Sequence, residues 1–215
     1  MTTWIIATRN KGKLAELIPM LAAHGITGIG LDDAGIRVSI AEDDIERFDT
    51  FVDNARAKAE YFAAVSGMPC VADDSGLCID ALDGAPGVRS RRFAGDRGHI
   101  VLDAKDEDRA NNEAVVDACW DSGRAPPWRA CYECAAAYAD AAGSMVTVGR
   151  TDGAILPDRS GDGGFGYDPY FVSADLGVSF AVASAEEKAR VSHRGRALAA
   201  LLANVAAARA NASPR

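Results

Sequence analysis

Residues 69–95 read PCVADDSGLCIDALDGAPGVRSRRFAG. The apolar run Cys70, Val71 and Ala72 has the character of a buried strand drawing to its end. Asp73 and Asp74 follow at once, Ser75-Gly76 is expected to turn the chain, and Pro86-Gly87 to turn it again. Arg89, Arg91 and Arg92 close the stretch. Adjacent carboxylates at a strand end repel each other unless a cation or strong donors offset the cost. A hard divalent ion such as Mg²⁺ takes oxygen ligands, and arginines grip phosphate oxygens as a fork. The stretch therefore suggests a metal-assisted phosphate site. For an Asp pair in isolation, a solvated acidic turn is the alternative.

Toward the N-terminus, Trp4, Ile5 and Ile6 predict a short strand ending at Ala7-Thr8. The basic loop Arg9-Asn10-Lys11-Gly12-Lys13 follows, and Leu14, Leu17, Ile18 and Leu21 then recur at helical spacing up to about His24 and Gly25. A loop from a strand end into a helix start presents unpaired N–H groups to an anion. Lys13, a cation in the first helical turn, runs against the helix dipole unless an anion is held there. The Walker pattern is absent. Ile26 to Leu31 predicts a second strand, and Asp32 to Asp49 an acidic loop holding Glu42, Asp43, Asp44, Glu46 and Asp49, one of which could complete a metal site. Thr50, with Asp53 three residues on, is expected to cap a helix with Val52, Ala55, Ala59 and Phe62 as its apolar stripe. Lys58 lies off that stripe, which favours a solvated side chain over one aimed at a ligand.

Toward the C-terminus, the charged stretch from Asp96 to Arg109, with Ile100, Val101 and Leu102, reads as a surface excursion before a helix from Asn112 to about Trp120. Arg129–Ala139 and Ser144–Thr151 predict an antiparallel hairpin. SGDGGFGYDPYF (160–171) carries four glycines, which permit unusual dihedrals and close backbone approach. Its Phe165 and Tyr167 could stack on a planar base or fill core around a tight turn. Ser184 and Glu187 form a capping box for a short helix bearing Lys188. The last helix buries Leu198, Leu201, Leu202 and Val205, with Ser192-His193-Arg194 at its start. His193 there is either a hydrogen-bonded structural residue or a reader of a base edge or phosphate.

A chain of 215 residues, 48% hydrophobic, can bury a sizeable core. No apolar run approaches the roughly 18 residues of a membrane span, and the N-terminal charges follow the apolar residues, the wrong order for a signal peptide. A net charge of -8 argues against nucleic acid as a partner but leaves room for a local basic pocket. Five cysteines, an odd number in a large chain, argue against a disulfide framework. Cys131 and Cys134 lie three apart on a strand and face opposite sides, so they read as reduced, buried thiols and the compartment as the cytoplasm.

The separated motifs ATRNKGKLAEL (7–17), ERFDTFVDNARAKA (46–59), ADDSGL (72–77), GAPGVRSRRFAG (84–95), GDGGFGYDPYF (161–171) and EEKARVSHRGRAL (186–198) resemble, in their order, those of the Ham1/RdgB-like inosine triphosphate pyrophosphatases. The resemblance spans nearly the whole chain. It implies an α/β fold in which a twisted mixed sheet is flanked by helices, with two lobes around a nucleotide-binding cleft. The lobes are expected at about 1–125 plus 175–210 and at about 126–174 of a single 1–215 domain. It implies a homodimer that uses Mg²⁺ to hydrolyse deaminated purine nucleoside triphosphates, such as ITP, dITP and XTP, to the monophosphate and pyrophosphate. By the same resemblance, Thr8, Arg9, Asn10 and Lys13 form the triphosphate loop, with Lys58, Ser75, Gly76 and Arg92 also near the substrate. Asp73 and Asp74 form the acidic centre, Asp74 orienting or deprotonating the attacking water, and Glu46 and Asp74 hold the metal. Phe165, Gly166, Tyr167 and Asp168 form the base loop, with Phe165 under the base, and Lys188, His193 and Arg194 contact phosphates and the 6-oxo edge. Phe93 stands where the family usually has Tyr, Asp53 where Glu is commoner, and 97–109 is longer than usual. A Maf-like pyrophosphatase acting on pyrimidine or modified nucleotides is the nearest alternative. A non-catalytic nucleotide-binding protein is the more distant one, and the presence of Lys13, Asp74, Lys188 and Arg194 argues against it.

Overall fold

The computed structural model describes residues 2–40, 42, 45–99 and 104–212. The expectation for Ile100, Val101 and Leu102 lies outside them, as do Asp43 and Asp44 of the acidic loop. In chain order the elements are β1 (Thr2–Ile6), α1 (Lys11–Ala22), β2 (Ile26–Gly30), α2 (Phe51–Ser66), β3 (Cys70–Ile79), α3 (Phe93–Asp96), α4 (Ala104–Asp121), β4 (Trp128–Asp140), β5 (Gly143–Ile155), β6 (Phe171–Ser173), α5 (Ala185–Val191) and α6 (His193–Ala212). The strands form one mixed sheet in the order β2-β1-β3-β4-β5-β6. Strand β1 pairs parallel with β2 and β3, and β5 pairs antiparallel with β6. Strands β4 and β5 are sheet neighbours joined by Ala141-Ala142, a link too short for a crossover, so they run antiparallel as expected.

The chain divides into two compact units, Met1–Asp74 with Cys134–Gly149 and His193–Arg215, and Ser75–Glu133 with Arg150–Ser192. Strands β3, β4 and β5 each pass from one unit into the other.

In the first unit the strand period sorts side chains to two faces. Trp4, Ile6, Val71, Cys134, Ala136 and Tyr138 pack with Leu17 and Leu21 of α1 and with Leu198, Leu201, Leu202 and Val205 of α6. Ile5, Ala7, Cys70, Ala72, Ala135, Ala137 and Ala139 pack with Ala55, Ala59 and Phe62 of α2. Both faces are covered, which is why β1 and β4 read as nearly continuous apolar runs. The core of the second unit joins Leu77 and Ile79 of β3, Trp128, Ala130 and Tyr132 of β4, Ala114, Val115 and Ala118 of α4, and Phe171 and Phe180. The Tyr132 and Phe171 rings lie 4.7 Å apart, and Phe171 and Phe180 5.2 Å.

Two local expectations are corrected. Ser75-Gly76 does not turn the chain, since β3 continues through both to Ile79. This strand lies between β1 and β4, and pairing to neighbours outweighs the turn propensity of Ser-Gly. Helix α4 begins at Ala104 rather than Asn112. The high charge density of this stretch obscured the helix start in the sequence. The caps follow expectation. Thr50 accepts a hydrogen bond from the Asp53 N–H, and Ser184 and Glu187 make a full capping box on α5.

Candidate active site

Strand β3 carries Asp73 and Asp74 mid-strand, so alternation sends them to opposite faces. Asp73 follows Val71 toward α1 and α6. There its Oδ2 lies 3.1 Å from Lys13 Nζ and accepts from Arg194 Nε at 3.0 Å and from the Cys134 thiol at 3.9 Å. Arg194 is paired on its other side with Glu16, and only 2% of its side chain is exposed, against 1% of Asp73. Burial alone would raise the Asp73 pKa, but Lys13, Arg194 and Lys58 hold it well below the carboxylate range. Burial would likewise lower the Arg194 pKa, and Asp73 and Glu16 raise it instead. Burial and the Asp73 charge push the Cys134 thiol up, so it stays protonated and donates.

Asp74 follows Ala72 toward α2. Its Oδ2 accepts from Asn54 Nδ2 at 3.0 Å. Asn54 also clamps the backbone of Phe48, accepting from its N–H at 2.9 Å and donating to its carbonyl at 3.0 Å. One turn on, Lys58 is buried and ion-paired with Glu46. The expected solvated Lys58 is thus corrected. Burial alone would lower its pKa, but Glu46, Asp74 and Asp73 together hold it raised. Asp74 differs from its neighbour: burial raises its pKa, Glu46 adds to that, and Lys58, Lys13 and Asn54 do not fully offset it. For Glu46, burial is outweighed by Lys58 and Lys13, and its pKa is lowered. A carboxylate with a raised pKa thus lies within electrostatic reach of two lysines.

The loop ahead of α1 is shaped by Asn10, whose Oδ1 accepts from the Lys13 N–H at 3.0 Å, and by Thr8, whose Oγ1 accepts from the Asn10 N–H at 3.2 Å. Arg9 turns elsewhere. It pairs with Asp32 and Glu42 and donates to the Ile36 carbonyl at 3.1 Å, tying down the acidic loop. His193 is buried at the first position of α6.

In the second unit the glycine-rich loop is held by its own carboxylate. Asp168 Oδ2 accepts from the Phe165 N–H at 2.8 Å and pairs with Lys188, both side chains being buried. Lys188 Nζ stands 5.0 Å from the Phe165 ring centroid, a cation–π contact. Gly164 has φ +70°, and a Cβ there would meet Asp168 Oδ2 at 2.2 Å, so only glycine allows this approach. For Tyr167 the core-filling alternative holds: it is buried, and its hydroxyl donates to the Ser90 carbonyl at 2.7 Å. Phe165 is half-buried. Ser75 is half-buried and Gly76 buried in β3, and Arg92 is exposed at the end of the 3₁₀ segment Gly87–Arg92.

Asp74 and Glu46 are hard oxygen donors near two lysines. Among the described residues no three His, Cys, Asp or Glu side chains gather to hold a metal. The pair fits Mg²⁺, which is commonly held by one or two carboxylates and takes its remaining ligands from phosphates and water.

A sequence model of the Ham1 family matches residues 4–204. The chain belongs to the Ham1 family. Among its relatives, a dITP/XTP pyrophosphatase of Geobacter sulfurreducens is 40% identical over 202 residues, covering 94% of this chain and 95% of that protein. A dITP/XTP pyrophosphatase of Mycolicibacterium paratuberculosis is 41% identical over 208 residues, covering 94% and 95%. Among solved structures, a HAM1 protein from Coxiella burnetii superposes with a TM-score of 0.78 at 31% identity, covering 96% of this chain and 99% of that one. The mixed α/β fold expected from the resemblance is shared with that HAM1 protein.

Within this Ham1 chain the first unit gathers Lys13, Glu46, Lys58, Asp73, Asp74 and Arg194 of the expected site residues. Arg9 is engaged by the acidic loop. Sequence reading missed Asn54, Glu16 and Cys134. Asn54 precedes Lys58 by four residues on α2 and Glu16 follows Lys13 by three on α1, so helical spacing already placed each beside an expected residue. Among the described residues no helix is long and apolar enough to cross a membrane.

Proposed function

We propose that this protein is a Mg²⁺-dependent nucleoside triphosphate pyrophosphatase acting on deaminated purine nucleotides (ITP, dITP and XTP), releasing the monophosphate and pyrophosphate. The observation that carries this is the convergence of Asp74 with Glu46, Lys58 and Lys13. Membership of a family with relatives named dITP/XTP pyrophosphatases supports it.

Asp74 and Glu46 would hold Mg²⁺, which when bound neutralises phosphate oxygens. Lys13 and Lys58 supply positive charge where the transition state spreads negative charge, and the N–H groups at the start of α1 add donors. Asp74 orients a water and accepts its proton as the oxygen attacks the α-phosphorus and pyrophosphate leaves. Such chemistry asks mainly for positioning and charge. Asp73 does not share that duty. Locked by Arg194 and Lys13, it fixes Lys13 and the start of α6. Phe165 is the ring for base stacking, held in place by Asp168 and Lys188.

The test is product analysis. The enzyme with dITP and Mg²⁺ in ¹⁸O-water should yield dIMP and pyrophosphate, with the label in dIMP. Diphosphate with inorganic phosphate, or label in pyrophosphate, would overturn the proposal.

A further inference from the structure

Helix α4 reaches the glycine-rich loop through two side chains one turn apart. Asp108 Oδ2 accepts from the Gly166 N–H at 2.8 Å, and Asn112 Nδ2 donates to the Gly166 carbonyl at 2.9 Å. Both hydrogen-bonding groups of one residue are thus held from one helix. Asn112 is 6% exposed, and its Oδ1 is enclosed with no hydrogen-bond partner among the described residues. An unmet buried acceptor is costly, so a buried amide here points to what its donor end does. That end binds Gly166 and the Asp108 carbonyl, the latter at 2.7 Å. The preceding Asn111 holds a different segment, accepting from the Ala94 N–H and donating to the Arg91 carbonyl, both at 2.8 Å.

Gly166 sits at φ +60° and has no side chain to anchor it. Its neighbours are fixed independently, Phe165 through Asp168 and Tyr167 through Ser90. The 165–166 peptide follows directly on Phe165, so holding the Gly166 N–H helps set the backbone that carries the Phe165 ring. We infer that Asp108 and Asn112 are positioning residues for purine recognition, acting through the Gly166 backbone. This rests on the reading of the loop as the base site given under Proposed function.

Steady-state kinetics on dITP with Mg²⁺ test it, alongside inhibition by tripolyphosphate, which has no base. Asp108→Ala and Asn112→Asp should each raise KM for dITP about tenfold, the size of one lost hydrogen bond, with kcat within about threefold. The tripolyphosphate inhibition constant should stay within about twofold, because base recognition alone is disturbed. Asp108→Asn keeps an acceptor oxygen and should restore KM. Should Asn112→Asp fail to fold, the exposed Asp108 carries the test. Unchanged KM in Asp108→Ala, or an equal rise in the tripolyphosphate constant, overturns the inference while leaving the proposed activity standing. No dITP turnover by the wild type overturns that activity, and the inference with it.

Discussion

Replacing Asp73 with Asn separates its structural duty from the chemistry assigned to Asp74. Asp73 and Arg194 are 1% and 2% exposed, and the substitution leaves the guanidinium and Lys13 facing a neutral amide. Removing one partner of a buried ion pair typically costs about 3–5 kcal/mol. Here Glu16 still neutralises Arg194, and Lys13 is 15% exposed and can reach water, so the loss should sit near the lower end, about 3 kcal/mol. At roughly 2–4 °C per kcal/mol for a chain of this length, Tm should fall by about 6–12 °C at pH 7. The pH dependence has a definite sign. The folded pKa of Asp73 is depressed, so its contribution is present above the unfolded value near about 4 and is lost as pH falls through the folded value. Thermal melts followed by circular dichroism from pH 7 downward should show wild type and variant converging in acid. Asp121→Asn is the control. It breaks an exposed pair with Arg97 at 3.5 Å and should cost no more than about 1 kcal/mol. A loss below about 1 kcal/mol for Asp73→Asn, or a gap that does not narrow as pH falls below about 4, would refute the reasoning.

Asp74→Asn should behave in the opposite way: the raised folded pKa makes ionised Asp74 a cost at neutral pH, so the variant should match or exceed wild-type Tm while losing activity about 10²-fold or more. A clearly lowered Tm, or near-wild-type turnover with saturating Mg²⁺, would contradict this. Chelation by EDTA should abolish turnover and shift Tm of the substrate-free protein by less than about 1 °C, since no three-residue metal group braces the described fold. Tyr167→Phe should cost about 1 kcal/mol of stability, read from denaturant unfolding, by removing the hydroxyl bond to Ser90.

Local signals were the legible ones. Thr50, Ser184 and Glu187 act within one turn of helix, and the apolar stripe of α6 declares its buried face. Non-local effects were not legible. Ser75-Gly76 reads as a turn because the pairing that keeps it extended comes from other strands, and that error hid the opposite facing of Asp73 and Asp74. Lys58 looks solvated because the carboxylates that hold it buried lie 12 and 16 residues away in sequence, at Glu46 and Asp74. Arg9 pairs with Asp32 and Glu42 of the acidic loop beyond β2, partners that its neighbours in sequence do not announce. The resemblance to family motifs named the acidic centre, and the structure divides its two carboxylates by environment.

The central claim is tested most directly by pyrophosphate release with Mg²⁺ from a panel of ITP, dITP, XTP, GTP, ATP, dTTP and UTP. A kcat/KM for ITP, dITP or XTP at least about 10²-fold above that for ATP and the pyrimidine nucleotides is the predicted result, as expected of a site whose buried polar groups pair with a 6-oxo purine. Preference for dTTP or UTP, or equal turnover across the panel, would contradict it.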